Sequence, residues 1–333
     1  GRIGRCVFRS IIDRGIGIEV LAINDLTDTK TLAHLLKYDS VHGIAKFDVD
    51  YDESNLVING KKIKILAERD PSKLGWSSLG VDVVVESTGI FTDSSQAGAH
   101  IKAGAKKVII SAPATNEDLT IVLGVNDKEY DKSKHHIVSN ASCTTNCMAP
   151  VTKVIHDNFG IISGTMLTVH SYTNDQRILD LPHSDLRRAR SAAVSAIPTT
   201  TGAAKALTKR FPDLEHAIGG CGIRVPVPNG SLAILNLDLQ SKTSREDLNA
   251  LVKKFALEGS LVEQIRYSMS NELVSSDIVG TLEPAIFDSH ATIVSKEGDH
   301  AILYVWYDNE YGYSHQVMGL AKYIAKVRRF AYY

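Results

Sequence analysis

Four cysteines in 333 residues, at positions 6, 143, 147 and 221, are too few and too irregularly spaced for a disulfide framework. That excludes the small cross-linked secreted scaffolds and points to a reducing compartment, expected to be the cytoplasm. No apolar run approaches the length of a bilayer span, and no signal peptide opens the chain, so no membrane partner is expected. Neither sign of charge dominates: 37 Lys and Arg stand against 38 Asp and Glu, for a net charge of −1. Nothing in such a field recruits nucleic acid as a primary partner, and an anionic substrate must be held by a few local cations. Internal repeats, low-complexity tracts and long flexible linkers are missing as well. What remains is a globular composition, 44% hydrophobic and 23% charged, in a chain long enough for two domains.

The stretch Ser139-Asn140-Ala141-Ser142-Cys143-Thr144-Thr145-Asn146-Cys147 organises the rest. His136-Ile137-Val138 reads as a strand end, and Met148 to Phe159 carries apolar residues at helical spacing up to Gly160. Cys143 therefore falls where a strand hands over to the first turn of a helix. Unpaired N–H groups and the positive helix end favour a thiolate there, which makes Cys143 a candidate nucleophile. The alternative, a small buried hydrophobe, stays open on these residues alone. Cys147, one helical turn on, is expected to face the core, and Pro150 to bend the helix. Two cysteines without a second pair of ligands do not make a metal site, so no metal is expected.

Before this stretch the pattern is that of a dinucleotide-binding half. Gly1-Arg2-Ile3-Gly4 is the back part of G-x-G-x-x-G, and Ile3, Val7, Ile11 and Ile12 mark one face of a helix ending at Gly15. The run 18–25 is a buried strand finishing on Asp25, where a carboxylate can take both ribose hydroxyls of an adenosine. Leu26 follows with no adjacent cation for a 2′-phosphate, which favours NAD over NADP. Further strands over 81–85, 107–110 and 119–123, with a helix over 92–105 between the first two, predict a doubly wound, mostly parallel α/β sheet. Its ligand should lie at the carboxyl ends of the strands, where Asp25, Thr88 and Ser111 stand. With no strand ahead of Gly1, the printed chain is expected to lack the first strand of that sheet.

After Gly160 the character changes. Residues 165–173 read as a strand carrying His170, and a long loop from Asn174 to about Ala192 holds Arg177, Arg187, Arg188 and Arg190. Such a loop is functional or interfacial, or simply a solvated basic loop. Ile197 to Gly202 leads into a short helix whose threonines could cradle an anion. Thr243-x-x-Glu246 predicts a capping box for a helix to about Leu257, and Ser314 a cap for the last helix. Strand-like runs at 223–226, 231–239, 290–294 and 301–307 predict a second, α+β domain with a mainly antiparallel sheet.

These pieces together resemble the phosphorylating glyceraldehyde-3-phosphate dehydrogenases. The resemblance is carried by Gly1 to Arg5, Ser139 to Cys147, Thr168 to Thr173, Leu179 to His183, Ile197 to Lys205, Arg224-Val225-Pro226 and Trp306 to Glu310. It implies a Rossmann-type NAD-binding domain over 1–142, a catalytic domain over 143–308 and a C-terminal helix, 309–333, returning to the first. It implies Cys143 as nucleophile and His170 as its base. Arg224, Thr173, and Ser142 and Thr144 with Thr201-Gly202 would form two anion sites, for the phosphate of an aldehyde substrate and for inorganic phosphate. Arg2, Ile3, Asp25, Arg69, Ser111 and Asn309 would hold NAD, Asn309 by the nicotinamide carboxamide. Leu181 and Pro182 match the NAD-preferring form. The long loop becomes an S-shaped loop near the cofactor of a neighbouring subunit in a homotetramer.

The chemistry so implied adds a Cys143 thiolate to an aldehyde, passes hydride to NAD with His170 taking the hydroxyl proton, and resolves the thioester with phosphate. A Cys–His ion pair would let the thiol ionise near neutral pH. Gly219-Gly220-Cys221-Gly222, Gly230 and the tail from Val327 to Tyr333 depart from the family pattern. Erythrose-4-phosphate dehydrogenase is the nearest rival, although the Thr200 to Lys205 run looks like the glyceraldehyde-phosphate form. A cysteine hydrolase built on Cys143 and His170, and a non-catalytic RNA-binding or protein-binding module, are the readings from other classes.

Overall fold

The computed structural model of the chain describes residues 1–15 and 17–325. The unfamiliar tail at 327–333 lies outside the described residues. Two compact units form: one from 1–121, 128–141 and the segment after 313, the other from 122–127 and 142–313.

The first unit opens with α1 (Arg2–Arg14), whose Val7, Phe8 and Ile11 are buried. Gly15, at φ 55°, ends it in the left-handed conformation that glycine adopts without strain. Then come β1 (Ala22–Asn24), α2 (Thr29–Lys37), a hairpin of β2 (Tyr38–Asp39) and β3 (Gly43–Ile44), and β4 (Val49–Tyr51), β5 (Asn55–Ile58) and β6 (Lys61–Leu66). They are followed by β7 (Val83–Glu86), α3 (Ser94–Lys102), β8 (Lys107–Ile110), β9 (Leu119–Thr120) and β10 (Ile137–Ser139). Two four-stranded sheets result, in the orders β1-β6-β5-β4 and β7-β8-β10-β9. The second is parallel throughout, as the alternation of strand and helix predicts. In the first only β1 and β6 run parallel, because short turns return β5 antiparallel to both its neighbours. The strand expected over 18–25 is regular only at Ala22–Asn24, the stretch its ladder with β6 covers. Phe8 of α1 and Leu32, Ala33 and Leu36 of α2 pack on Leu56, Ile58 and Ile63 of the first sheet. Ala97 of α3 covers Val108 and Ile110 of the second.

The second unit begins with α4 (Cys143–Phe159), β11 (Ile161–Ser171), β12 (Ile197–Thr199), α5 (Ala203–Arg210), β13 (Ile218–Val225) and β14 (Ser231–Leu239). It continues with α6 (Arg245–Leu257), β15 (Ile265–Ser268), α7 (Ser275–Ile278), β16 (Ala285–Asp288), β17 (Ile293–Val294) and β18 (His300–Tyr307). The sheet runs β12-β13-β11-β14-β18-β16-β15, with β17 also on β18. It is mixed: β11–β13 and β15–β16 are parallel, and the other pairs antiparallel. Side chains alternate faces with period two. Leu235, Leu237, Ala301, Leu303 and Val305 are fully buried on the side that α4 covers with Cys147, Met148 and Val151. Leu232, Ile234, Ile302, Tyr304 and Trp306 are half-exposed on the other.

α8 (Tyr311–Ala325) closes the described chain. Two caps differ from expectation. α6 is opened by Ser244, whose Oγ accepts from Asp247 N–H and donates to the Asp247 carboxylate, one residue later than the Thr243/Glu246 pair. α8 is opened by Asp308, which accepts the N–H groups of Glu310 and Tyr311, while Ser314 is buried inside the helix. At α6 one hydroxyl–carboxylate pair replaces another one residue along, and at α8 a carboxylate at the positive helix end takes the place of the expected hydroxyl.

Candidate active site

The chain reaches Cys143 by a sharp turn. β10 stops at Ser139, Ala141 takes a left-handed φ of 55°, and Ser142 caps α4 by accepting Thr145 N–H at 3.0 Å. Positive φ at a non-glycine residue costs on the order of 1 kcal/mol and marks a backbone held by its surroundings. Cys143 is the first residue of α4 and only half-buried, whereas Cys147 below it is fully buried with its thiol toward Val305 O. α4 passes through Pro150 as one assigned helix, where the sequence predicts a bend.

Register brings the other two candidate side chains together. β11 and β13 run parallel with His170 opposite Arg224, and β12 sets Ile197 on the other side of Arg224. His170 Nε2 lies 3.5 Å from Cys143 Sγ. Its Nδ1 is 2.7 Å from Ser171 O, and Arg224 Nη1 is 2.8 Å from Nδ1 and 3.1 Å from Ser171 O. A guanidinium only donates, so these contacts compete for one ring atom. With the proton on Nδ1, both Nδ1–H and Arg224 donate to the Ser171 carbonyl, and the Nε2 lone pair faces the sulfur. We assign that tautomer because it satisfies the shortest contact and gives His170 the orientation a base needs.

Burial works against charge at both atoms. It pushes the Cys143 thiol above its ordinary value, and Arg224 and the first-turn Thr144 only partly offset this. The helix-end effect expected from sequence is therefore outweighed. Burial and the Arg224 charge together hold the His170 imidazole down at about 3. Neither group ionises readily alone. Both shifts favour the neutral thiol and the neutral imidazole, against the ion pair expected from the sequence; a proton passed from sulfur to Nε2 would create opposite charges side by side, each favouring the other.

A contact not foreseen from sequence underlies this pair. The Tyr307 hydroxyl bonds Thr144 Oγ1 at 2.9 Å and Thr168 Oγ1 at 2.7 Å, and its ring meets His170 edge-on at 5.8 Å. Thr144 is buried with its hydroxyl turned to this tyrosine. Thr173 is drawn to Gln176, whose Oε1 accepts both its N–H and its hydroxyl. Thr201 and Gly202 stand at the start of α5, two residues past Thr199, which pairs with Gly222. The glycine-rich run has a packing reason: a Cβ on Gly220 would come within 2.5 Å of Met166 and 2.9 Å of Ala204. α5 and β11 can therefore approach β13 only over a bare backbone. Gly230, at φ 92°, would put a Cβ 2.1 Å from Ser275 O. Next to it, Ser231 Oγ accepts Ser171 N–H and donates to Asn309 Oδ1 at 2.8 Å, which leaves the Asn309 NH₂ to donate elsewhere.

In the first unit, the expected cofactor residues stand at carboxyl ends of strands: Asp25 after β1, Arg69 exposed beyond β6, Thr88 after β7 and Ser111 after β8. Arg2 and Ile3 open α1, with Arg2 also bonded to Asp39. A Cβ on Gly4 would lie 2.8 Å from Ser87 Oγ, so the helix start runs close to the turn after β7. This bare helix N-terminus and the strand-ending carboxylate fit a dinucleotide. Among the described residues no helix is long and apolar enough to cross a membrane.

A nucleotide-type α/β unit and a separate sheet bearing a helix-end cysteine beside a histidine define an NAD-dependent oxidoreductase. Comparison with known proteins agrees. The family model "Glyceraldehyde 3-phosphate dehydrogenase, NAD binding domain" matches residues 1–94, and "Glyceraldehyde 3-phosphate dehydrogenase, C-terminal domain" matches 142–309. A glyceraldehyde-3-phosphate dehydrogenase of Geobacillus stearothermophilus is 56% identical over 98% of this chain and 96% of its own length. Those of Streptomyces coelicolor, at 52% over 97% and 96%, and Thermotoga maritima, at 54% over 98% and 97%, are similar. The chain belongs to the glyceraldehyde-3-phosphate dehydrogenase family.

Proposed function

We propose that the protein oxidises glyceraldehyde 3-phosphate to 1,3-bisphosphoglycerate with NAD and inorganic phosphate. The observation that carries the reading is Cys143 Sγ at 3.5 Å from His170 Nε2, with Arg224 against the far side of the same ring. Sγ, its proton passed to His170, attacks the aldehyde carbon, and the carbonyl oxygen takes that proton to give a hemithioacetal. His170 then removes the hydroxyl proton, the C–O bond becomes a carbonyl, and hydride leaves the same carbon. NAD, when bound, accepts that hydride. A phosphate oxygen attacks the resulting thioester, and the C–S bond breaks to return the Cys143 thiolate.

The Cys143 N–H, at the first helical position with no intrahelical acceptor, and His170 serve the oxyanion. Arg224 and Thr173 would form one anion site, and Ser142, Thr144, Thr201 and Gly202 the other. Arg2, Ile3, Asp25, Arg69, Thr88, Ser111 and Asn309 would bind NAD, with Asn309 donating to the carboxamide. A homotetramer is supported by the half-exposed apolar sheet face of the second unit and by the long loop. In that loop Arg188 is paired with Asp175 and Asp185, and Arg190 with Asp180, while Leu179, Leu181 and Leu186 are 71%, 59% and 81% exposed. Two of its four arginines are paired within the loop and its leucines face out, as an interface requires. The four unbridged cysteines support a cytoplasmic site of action. NADH absorbance with glyceraldehyde 3-phosphate and NAD, with and without inorganic phosphate, tests the reading. Phosphate-dependent NADH formation is expected; turnover that ignores phosphate, or prefers erythrose 4-phosphate, would reject it.

A further inference from the structure

The first unit holds a buried chain of hydrogen bonds that the reaction does not use. Trp76, His100 and Glu86 are 4%, 4% and 5% exposed. Trp76 Nε1–H donates to His100 Nδ1 at 3.1 Å, so the ring proton sits on Nε2, which donates to Glu86 Oε2 at 2.9 Å. The other carboxylate oxygen accepts Thr88 N–H at 2.8 Å and the Thr88 hydroxyl at 2.5 Å. Thr88 Oγ1 in turn accepts Ile90 N–H at 3.1 Å, and the Glu86 carbonyl accepts Ser111 N–H at 2.9 Å. Burial alone would push the Glu86 carboxyl up; the bonds from His100 and Thr88 hold it below the usual range instead.

A buried carboxylate with three side-directed donors is costly to keep unless each bond is made. Both bonds to Oε1 come from Thr88 in the turn after β7, the Oε2 bond comes from His100 on α3, and the Ser111 N–H bond to the Glu86 backbone carbonyl continues the β7–β8 ladder. We propose that Glu86 is a positioning residue for the dinucleotide: held by the Trp76–His100 chain, its carboxylate folds the 87–90 turn, so that Thr88 is presented to NAD beside Ser111. The inference rests on the reading of Thr88 and Ser111 as cofactor contacts.

The direction of the chain makes it testable. A carboxamide at 86 has one acceptor oxygen where the site needs two. If that oxygen serves Thr88, the NH₂ meets His100 Nε2–H. His100 cannot answer by moving its proton to Nδ1, because Trp76 N–H occupies that side. Glu86→Gln should therefore raise the KM for NAD about tenfold, with kcat at saturating NAD and the KM for the aldehyde within about twofold of the parent. Adding Trp76→Phe frees Nδ1 to carry the proton, lets Nε2 accept from the amide, and should recover part of the NAD affinity. A merely structural role would lower the urea midpoint of both variants without the split between KM and kcat. An unchanged KM for NAD in Glu86→Gln, or no recovery in the double variant, would overturn the proposal. Direct NAD titration of Thr88→Val and Ser111→Ala separates the two levels. If those bind NAD as the parent does, the cofactor reading of the turn falls and the proposal with it. If they bind weakly while Glu86→Gln does not, the proposal falls alone.

Discussion

Replacing His170 by asparagine removes the imidazole beside Cys143 while leaving a planar polar side chain on β11. With the pair ionised, opposite charges stand 3.5 Å apart, an attraction of about 5 kcal/mol at an effective dielectric of about 20. Cys143 is half-buried, and solvent screening brings the usable part down to about 2–3 kcal/mol, or about a hundredfold in thiolate population at fixed pH. The sign follows from the surroundings: burial raises the thiol and Arg224 and Thr144 offset this only in part, and without an imidazole 3.5 Å away to take the proton the thiolate loses its partner charge and forms only at higher pH. The reactive fraction of a thiol grows with pH, so the variant's alkylation profile should lie to the alkaline side of the parent's. The assay is alkylation by iodoacetamide from about pH 5 to 10, with Cys143 resolved by peptide mass. Cys221 is exposed and reports an uncoupled thiol in the same tube, while Cys6 and Cys147 are buried. The expected result is about a hundredfold slower modification of Cys143 near neutral pH, with Cys221 unchanged. A variant whose Cys143 reacts at the parental rate and with the parental profile would refute the coupling of the two groups.

Cys143→Ser should abolish NADH formation and leave NAD titration unaltered; loss of NAD binding as well would make the substitution structural. Arg224→Ala should raise the KM for glyceraldehyde 3-phosphate more than it lowers kcat, and a normal KM would remove Arg224 from the anion site. Gly230→Ala forces a side chain into a φ of 92° with a Cβ 2.1 Å from Ser275 O. Backbone strain and overpacking together should cost about 2–5 kcal/mol. A urea midpoint equal to the parent's would show that the α7 backbone yields freely there.

Much of the catalytic group is legible in the chain because it rests on local rules. Ser142 caps α4, so the strand-to-helix position of Cys143 follows from a run of nine residues. Gly15 ends α1, and the strand-like runs 231–239 and 301–307 return as β14 and β18. The contacts that tune the site are different in kind. Tyr307 reaches Thr144 across 163 positions and Thr168 across 139, and only sheet register brings them together. β15 and β16 were not foreseen, since runs of four residues carry too little period to separate strand from helix. Gly220, Gly222 and Gly230 look like departures in sequence and become close approaches in space. The caps of α6 and α8 shifted because several nearby groups could serve, a second hydroxyl–carboxylate pair at α6 and a carboxylate at α8.

The open face of the large sheet has a thermal consequence. Leu232, Ile234, Ile302, Tyr304 and Trp306 offer an association surface with little charge, whose attraction comes from releasing ordered water. Such an attraction fades on chilling and hardly responds to added sodium chloride. Subunits joined there would loosen on ice and tighten on warming, the reverse of an assembly stitched by ion pairs.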